Sequence, residues 1–144
     1  MKISRKSEYA ILGTLYLACK GKGILVKVAE IAKYTNIPKP VLLKVLNALS
    51  HKDILQSKAG VSGGYCLMMD PRKLTLLDVL KVFEKTTYVN SCTSDKPCKM
   101  SATCGMAPVW KHVQADIEKA FAKVSFAKLT KDMKNKVFPK VPKR

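Results

Sequence analysis

The chain has 144 residues, of which 47% are hydrophobic and 26% charged, the size and composition of a single folded domain. No apolar run approaches the ~20 residues that cross a bilayer, so we expect neither a membrane-spanning protein nor wholesale disorder. Lysine and arginine total 27 against 10 aspartates and glutamates, and the net charge of +17 makes a polyanion the first partner to consider.

A first helix is predicted over about residues 4–20, with Ile11, Leu15 and Ala18 on one face. The basic residues before this apolar segment superficially resemble a lipoprotein signal, but Glu8 lies at its edge and the segment is amphipathic. We therefore expect it to belong to the fold. The absence of a convincing export signal and an odd number of cysteines, five, favour free thiols in a reducing cytoplasm.

The next segment has the pattern of a helix-turn-helix. The predicted ranges are 27–34 for a short helix, 35–37 for a turn and 38–52 for a second helix. In the second helix, leucine and valine side chains share one face, and the residues that point elsewhere are Lys39, Leu43, Lys44, Asn47 and Ser50. That arrangement is typical of a helix that packs on one side and reads DNA with the other.

Two short strands joined by a glycine-rich tip are predicted next, over 54–57 and 65–68. A helix pair followed by such a hairpin is a winged helix, so the predicted fold is mainly α with a small β-wing. Thr75 and Asp78 then form a capping-box pattern that starts another helix, which ends near Glu84.

The strongest chemical signal is Cys92, Cys98 and Cys104, with five residues between each cysteine and the next, in a segment without apolar periodicity. We call residues 85–105 the cysteine loop. Thiolates are soft ligands for zinc, copper(I) and iron–sulfur centres. Structural zinc sites usually have tighter cysteine pairs and a fourth ligand, so the spacing suits zinc poorly. Three thiolates on an iron–sulfur cluster leave one position to another group, which makes the cluster labile, as a sensor requires.

After the cysteine loop, apolar residues recur at heptad spacing and predict one long helix over 105–127. Its apolar seam is most economically covered by the same helix of a second subunit, so we expect a homodimer. Residues 128–144 are rich in lysine and contain two prolines, and they predict a flexible basic tail. The predicted organisation is a DNA-binding domain over 1–70, a connecting helix and cysteine loop over 71–104, the dimerisation helix and the tail.

Together these features resemble the Rrf-type winged-helix transcription regulators over nearly the whole chain. The matching motifs are Met1-Lys2-Ile3-Ser4, Ser57-x-x-Gly60-x-x-Gly63-Gly64-Tyr65-x-Leu67, Leu74-Thr75-Leu76-x-Asp78-Val79 and the three cysteines. The resemblance implies a homodimeric DNA-binding regulator whose cysteine loop holds a [2Fe–2S] or [4Fe–4S] cluster near the dimerisation helix.

The resemblance also bears on the fourth cluster ligand. IscR-type members use a histidine three residues beyond the last cysteine, where this chain has Ala107. In NsrR-like members the fourth ligand is instead an acidic residue near the start of the first helix, which reaches the cluster of the other subunit. Glu8 occupies that position and is our candidate metal ligand beside Cys92, Cys98 and Cys104. The alternative is a solvated acid favoured by the first helical turn.

The candidate DNA contacts lie on the second helix and the wing. Lys39 and Lys44 suit phosphates or base edges, and Leu43 suits a thymine methyl group or, alternatively, packing against the wing or first helix. Lys58 and Ser62 on the wing can approach phosphates or the minor groove. Many family members have arginine at Ala59 and an aromatic residue at Val41, so the target sequence is not transferable from relatives.

The sequence thus favours a cytoplasmic, dimeric transcription regulator, acting for example as a repressor, that senses redox state, nitric oxide or iron–sulfur status. One alternative is a thiol–disulfide switch without metal. A second is a winged helix that docks a protein partner. Neither a nucleophile–base pair nor a phosphate-cradling loop is recognisable, so we expect no enzyme and no small-molecule substrate.

Overall fold

The computed structural model of the protein describes residues 2–84, 88–96 and 98–137. In chain order, the helices are α1 (Arg5–Lys20), α2 (Val28–Thr35), α3 (Lys39–Ser50), α4 (Leu76–Phe83), α5 (Ala107–Ala122) and α6 (Phe126–Val137). Strands β1 (Leu55–Lys58) and β2 (Gly64–Leu67) form one antiparallel pair between α3 and α4. The predicted fold class, mainly α with a small β-wing, is confirmed. No helix in the described ranges is long and apolar enough to cross a membrane.

Helix α1 is the centre of the molecule and contacts α2, α3, α4 and α6. It begins where the Ser4 side chain accepts a hydrogen bond from the Ser7 backbone, and it ends at Gly21, whose amide donates to the Leu17 carbonyl. Gly13 lies where α1 packs against α3, and a Cβ there would stand 3.4 Å from a Leu46 methyl carbon, in van der Waals contact. The predicted first helix is therefore confirmed, and it lies in the core.

Helices α2 and α3 form the predicted helix-turn-helix. Asn36 ends α2 in the left-handed conformation, with φ of 55°, and Pro38 precedes the first turn of α3. The apolar face of α3 is buried through Leu42, Val45, Leu46 and Leu49. The opposite face remains open to a partner.

The wing is the β1–β2 hairpin, in which Leu55 pairs with Leu67 and Lys58 with Gly64. Each strand is displaced by one residue from its predicted range. Val26, for which no strand was predicted, forms an isolated antiparallel bridge with Tyr65 and so lies beside β2. Gly64 is required there, because its φ is 155° and a Cβ would lie 2.2 Å from the Val26 carbonyl oxygen.

Helix α4 begins with the predicted capping box, in which Thr75 and Asp78 exchange side-chain-to-backbone hydrogen bonds. It ends at Glu84, whose carboxylate turns back to the start of α1. The Glu84 Oε1 atom accepts hydrogen bonds from the Ser4 amide, at 2.8 Å, and from the Ser7 hydroxyl. The residue that leads into the cysteine loop is thereby tied to the first turn of α1.

The helix predicted over 105–127 corresponds to α5 but is shorter than predicted, because the chain breaks between α5 and α6. The Leu76 amide donates to the Val124 carbonyl, and the Phe126 amide donates to the Leu74 carbonyl. Phe126 is fully buried in the core. Burying this ring and pairing the backbone with the segment before α4 outweigh continuation of the helix.

The flexible tail predicted over 128–144 is wrong for the part that the structure describes. Residues 128–137 belong to α6, and Leu129 packs against the core beside Phe126. Residues 138–144 lie outside the described residues. The basic character of the segment is therefore carried, up to residue 137, by a helix docked on α1.

Candidate nucleic-acid interface and cysteine loop

A groove of about 470 Å³ separates α3 from the wing, and we call it the wing groove. It is bounded on its third side by the start of α2. Its charged lining side chains are all lysines, namely Lys27, Lys39 and Lys58. One cation therefore comes from each of α2, α3 and the wing. A surface of this sign and shape suits a phosphodiester backbone.

The structure brings three of the five predicted DNA-contacting residues together in the wing groove. Lys39 and Leu43 line it from α3, and Lys58 lines it from β1. Lys44 is exposed on α3 outside the groove, and Ser62 is exposed at the tip of the wing. The predicted residues therefore divide into a groove set and an outer set.

Leu43 combines the two predicted alternatives. Its side chain is half-buried and packs against the core, and it also lines the wing groove. An apolar side chain at the floor of a basic groove excludes water from the cations beside it, which strengthens their attraction for a phosphate or a base edge.

The sequence interpretation placed Asn47 on the outward face of the second helix and Tyr65 in the wing motif, but it assigned neither as a site residue. Asn47 lies one turn beyond Leu43 on α3 and lines the same groove. The Tyr65 hydroxyl, from β2, donates a hydrogen bond to Asn47 Oδ1 and ties the wing to α3. Burial raises the pKa of Tyr65, so the hydroxyl keeps its proton. The helical spacing of Lys39, Leu43 and Asn47 was the available signal.

The cysteine loop is built from short-range hydrogen bonds. A 3-10 turn spans Ser91–Thr93 and is capped by Asn90. Further along, the Ser101 amide donates to Cys98, and the Cys104 amide donates to Met100. One longer connection reaches α5, where the Val89 amide donates to Gln114 Oε1 at 2.9 Å.

The three thiols of the cysteine loop are free but not gathered. Cys92 is half-buried and lines a cavity of about 360 Å³ with Lys111 and Gln114. Cys98 is exposed, with its sulfur 3.4 Å from the Met100 amide, and Cys104 is half-buried. Within the described ranges, no three His, Cys, Asp or Glu side chains are placed to hold a metal ion. The donors have the chemistry that an iron–sulfur cluster needs, but this arrangement of a single subunit does not make them converge.

Glu8 lies on the first turn of α1, away from the cysteines in sequence and on the outer surface. Its carboxylate is half-exposed and pairs with Arg5 at 3.2 Å. It lines a surface pocket with Lys2, Ile3 and Ser4. The neighbouring residue, Ser7, donates a hydrogen bond from its hydroxyl to Glu84.

Glu84, which precedes the cysteine loop, has a carboxylate that accepts two hydrogen bonds from the start of α1. Burial by itself would raise its pKa, but hydrogen bonds from Ser4 and Ser7 outweigh this and hold the pKa below its ordinary value. Glu84 is therefore ionised at neutral pH, and it stabilises the free amides at the start of α1.

Comparisons with known proteins agree with this architecture. Residues 3–132 match the sequence profile of the Rrf2 family, described as iron-dependent transcriptional regulators. A predicted HTH-type transcriptional regulator of Aquifex aeolicus is 29% identical over 148 aligned positions, covering 96% of this chain and 98% of the relative. The HTH-type transcriptional regulator NsrR of Bacillus subtilis is 28% identical over 115 positions, covering 78% and 76%.

Solved structures show the same fold. IscR of T. potens aligns with a TM-score of 0.71 and 23% identity, covering 92% of this chain and 88% of that one. CymR of Bacillus subtilis, a global cysteine regulator, aligns with a TM-score of 0.72 and 22% identity, covering 91% and 97%. The winged-helix prediction is confirmed by both.

Proposed function

Because the chain belongs to the Rrf2 family of transcriptional regulators, as its resemblance predicted, we propose that it is a sensor in which an iron–sulfur cluster on Cys92, Cys98 and Cys104 controls DNA binding. The observation that carries the proposal is the placement of these three free thiols in one polar loop outside the core. The other two cysteines differ, since Cys66 is buried in the wing and Cys19 packs against the core.

The construction of the cysteine loop supports this assignment. Its hydrogen bonds mostly join residues within four positions of each other, so drawing the sulfurs together breaks few contacts with the rest of the chain. Thiolates are the ordinary ligands of iron–sulfur clusters. A [2Fe–2S] or [4Fe–4S] cluster supplies a centre that reacts with oxidants or nitric oxide and is lost when iron is scarce.

The fourth ligand is proposed to be Glu8 of the second subunit in a homodimer. Its carboxylate is half-exposed, and among the described residues its side-chain partner is Arg5, in a surface ion pair that is weak in water. Helix α5 begins with an exposed apolar surface, with Met106 49% and Val109 47% accessible. Pairing of α5 with its symmetry mate would cover this surface.

The DNA-binding residues are proposed to be Lys39, Leu43, Lys44, Lys58 and Ser62. Lys39 and Lys58 line the wing groove from α3 and from β1, so both would lie beside a DNA strand bound there, while Lys44 and Ser62 are exposed outside the groove. Such lysines supply affinity by displacing counterions from phosphates. The setting proposed for this regulator is the reducing cytoplasm, where the thiols stay available.

A thiol–disulfide switch is the second candidate. It is favoured by the exposure of Cys98, which leaves its sulfur accessible to oxidants and to another thiol. In this alternative two cysteines of the loop form a bridge and no metal takes part. Bound iron therefore distinguishes an iron–sulfur cluster sensor from a thiol–disulfide switch.

The test is anaerobic purification with iron and sulfide assays and a visible spectrum, comparing the native protein, Cys92→Ala and Cys66→Ala. We expect a brown native protein with stoichiometric iron and sulfide, loss of colour in Cys92→Ala and an unchanged spectrum in Cys66→Ala. A native protein that remains colourless after reconstitution with iron and sulfide, and that loses two hydrogens on mild oxidation, would replace the cluster by the thiol switch.

The role of Glu8 has a separate test. We expect Glu8→Ala to shift the cluster spectrum and shorten its lifetime in air, while Arg5→Ala, which removes only the ion-pair partner, leaves both unchanged. A spectrum and lifetime equal to those of the native protein in Glu8→Ala would remove Glu8 from the ligand set.

A further inference from the structure

The wing groove contains a polar side chain whose orientation is set from outside the recognition helix. Asn47 lies on α3, is exposed, and lines the groove together with Lys39 and Leu43. Its Oδ1 atom accepts the hydrogen bond from the Tyr65 hydroxyl. The other half of the amide, the Nδ2 group with two N–H donors, has no hydrogen-bond partner among the residues that the structure describes.

The hydroxyl that orients Asn47 is itself held firmly. Tyr65 is only 5% exposed, and its backbone exchanges two hydrogen bonds of 2.9 Å with Val26. It also pairs with Ser57 in the β1–β2 ladder. Because burial raises the pKa of Tyr65, the hydroxyl remains a donor over the whole physiological range. The amide oxygen is thereby engaged, which leaves the amide nitrogen as the available donor of a side chain that lines the groove.

The surroundings of Nδ2 identify the kind of group that it suits. The charged side chains that line the groove are Lys27, Lys39 and Lys58, all donors, and none of the lining residues is acidic. A phosphate oxygen is acceptor-only and anionic, so it matches both the lysines and a donating amide. A base edge in the major groove presents donors as well as acceptors and has no charge.

We propose that Asn47, oriented by Tyr65, donates a hydrogen bond to a DNA backbone phosphate that occupies the wing groove. This inference rests on the DNA-binding function described above. Asn47 then fixes the position of the duplex between α3 and the wing, and it contributes to affinity for every sequence rather than to the choice among sequences. Tyr65 is a positioning residue that acts through the Asn47 amide.

The chain offers a matched pair of substitutions at this position. Asn47→Asp preserves the size of the side chain and can still accept the bond from Tyr65, but it replaces the donor by a negative charge. Asn47→Ala removes the donor without adding charge. Asn47 is exposed, so we expect both variants to fold, but Asn47→Ala also removes the acceptor of the Tyr65 hydroxyl, which Asn47→Asp keeps. Tyr65→Phe removes only the orienting hydroxyl.

Binding is measured by titration on two duplexes, one that the native protein selects from a random-sequence library and one scrambled duplex of the same composition. Asn47→Ala is expected to weaken both by a similar factor of about 2–10, the value of one hydrogen bond. Asn47→Asp is expected to weaken binding to both duplexes more than Asn47→Ala does. Tyr65→Phe is expected to weaken binding to both duplexes by about 2-fold.

Salt dependence separates the amide from the lysines. Asn47→Ala removes no charge, so the slope of log affinity against log salt stays at the native value. Lys58→Ala, the positive control, lowers the magnitude of that slope by about 1. Native-like unfolding midpoints of the four variants establish that binding, rather than folding, has changed.

Several results would overturn the inference. Weakening confined to the selected duplex, or to one base pair within it, would make Asn47 a base-reading residue. Native affinity in Asn47→Asp would show that the groove needs no donor there. Native affinity in Tyr65→Phe beside weak binding in Asn47→Ala would remove the orienting role. If the native protein binds neither duplex, the DNA-binding function itself fails, which is distinct from all three.

Discussion

The winged helix and the cysteine loop differ in how they are held together. In the winged helix, side chains from α1, α2, α3 and the wing form one buried cluster that continues to Leu74, Val79 and Phe126. In the cysteine loop, no residue of the described ranges 88–96 and 98–105 is buried, and Met100 is 65% exposed. One region is organised by packing, and the other by local turns.

This difference shows where a change of state costs little. A packed core tolerates few alternative arrangements, since every shift opens space between close-packed atoms. A loop held by short-range hydrogen bonds can rearrange at a small cost, which is typical of segments that bind ligands. In this protein the proposed DNA-binding surface lies on the packed part, and the three free thiols of the cysteine loop lie on the adaptable part.

The largest effect expected from this comparison is in amide hydrogen exchange. Amides of α1 and α3 should exchange only through global unfolding, which costs about 5–15 kcal/mol in domains of this kind. The amides of Ser101 and Cys104 should exchange faster by orders of magnitude, because local opening releases them. Mass spectrometry of peptic peptides measures both. Equal protection in the two regions would contradict the comparison, and slower exchange in the loop after cluster loading would sharpen it.

Truncation of the core should give the next largest effect. Leu46 is fully buried beneath α1, and Leu46→Ala is expected to lower the free energy of unfolding by about 2–5 kcal/mol through lost burial and a cavity. Met100→Ala in the cysteine loop is the control and should change it by less than about 0.5 kcal/mol. Urea titration provides both values. A comparable loss in Met100→Ala would mean that the loop packs as the core does.

A glycine pair tests the backbone of the two regions. Gly64→Ala places a Cβ 2.2 Å from the Val26 carbonyl oxygen at a φ of 155°, and it should cost about 1–3 kcal/mol and weaken DNA binding. Gly105→Ala meets no heavy atom within 4 Å and should be nearly neutral. Thermal unfolding and DNA titration check the pair. A neutral Gly64→Ala would show that the wing adjusts as easily as the loop.

The smallest effect concerns Glu84, which joins the two regions. Since hydrogen bonds from Ser4 and Ser7 hold its pKa below the ordinary value when folded, its ionisation stabilises the fold above the unfolded pKa of about 4.3. This contribution is lost as pH falls through the lower, folded pKa. The stability difference between the native protein and Glu84→Gln should therefore be greatest near neutral pH and vanish in acid. A difference that is independent of pH would assign the effect to shape rather than charge.

The sequence predicted the elements whose ends are set by local chemistry. Ser4 starts α1 and the Thr75–Asp78 box starts α4, each through hydrogen bonds within three residues. The glycine-rich turn of the wing and the apolar face of α3 are likewise recognisable from residues that are close together in the sequence. These features depend on neighbours in the chain, so a single sequence suffices to find them.

The misses depend on contacts between distant segments. The break between α5 and α6 arises because Phe126 is buried and its amide pairs with Leu74, although the Ser125 hydroxyl, which accepts from the Lys128 amide, is a local signal that was overlooked. The Val26–Tyr65 bridge and the Glu84 contact with Ser7 are likewise long-range. The cysteine positions were recognised from spacing, but convergence of their sulfurs does not follow from spacing alone.

Because α6 is synthesised late, its packing against α1 affects when the core is completed during translation. Helix α3 and the wing leave the ribosome early, whereas Phe126, which closes the core against α1, arrives near the end of the described residues. A nascent chain therefore carries an α3 surface before it has a finished interior. By the time translation delivers α6, the cysteine loop has already been synthesised, so the core is completed only after all three thiols are on the chain.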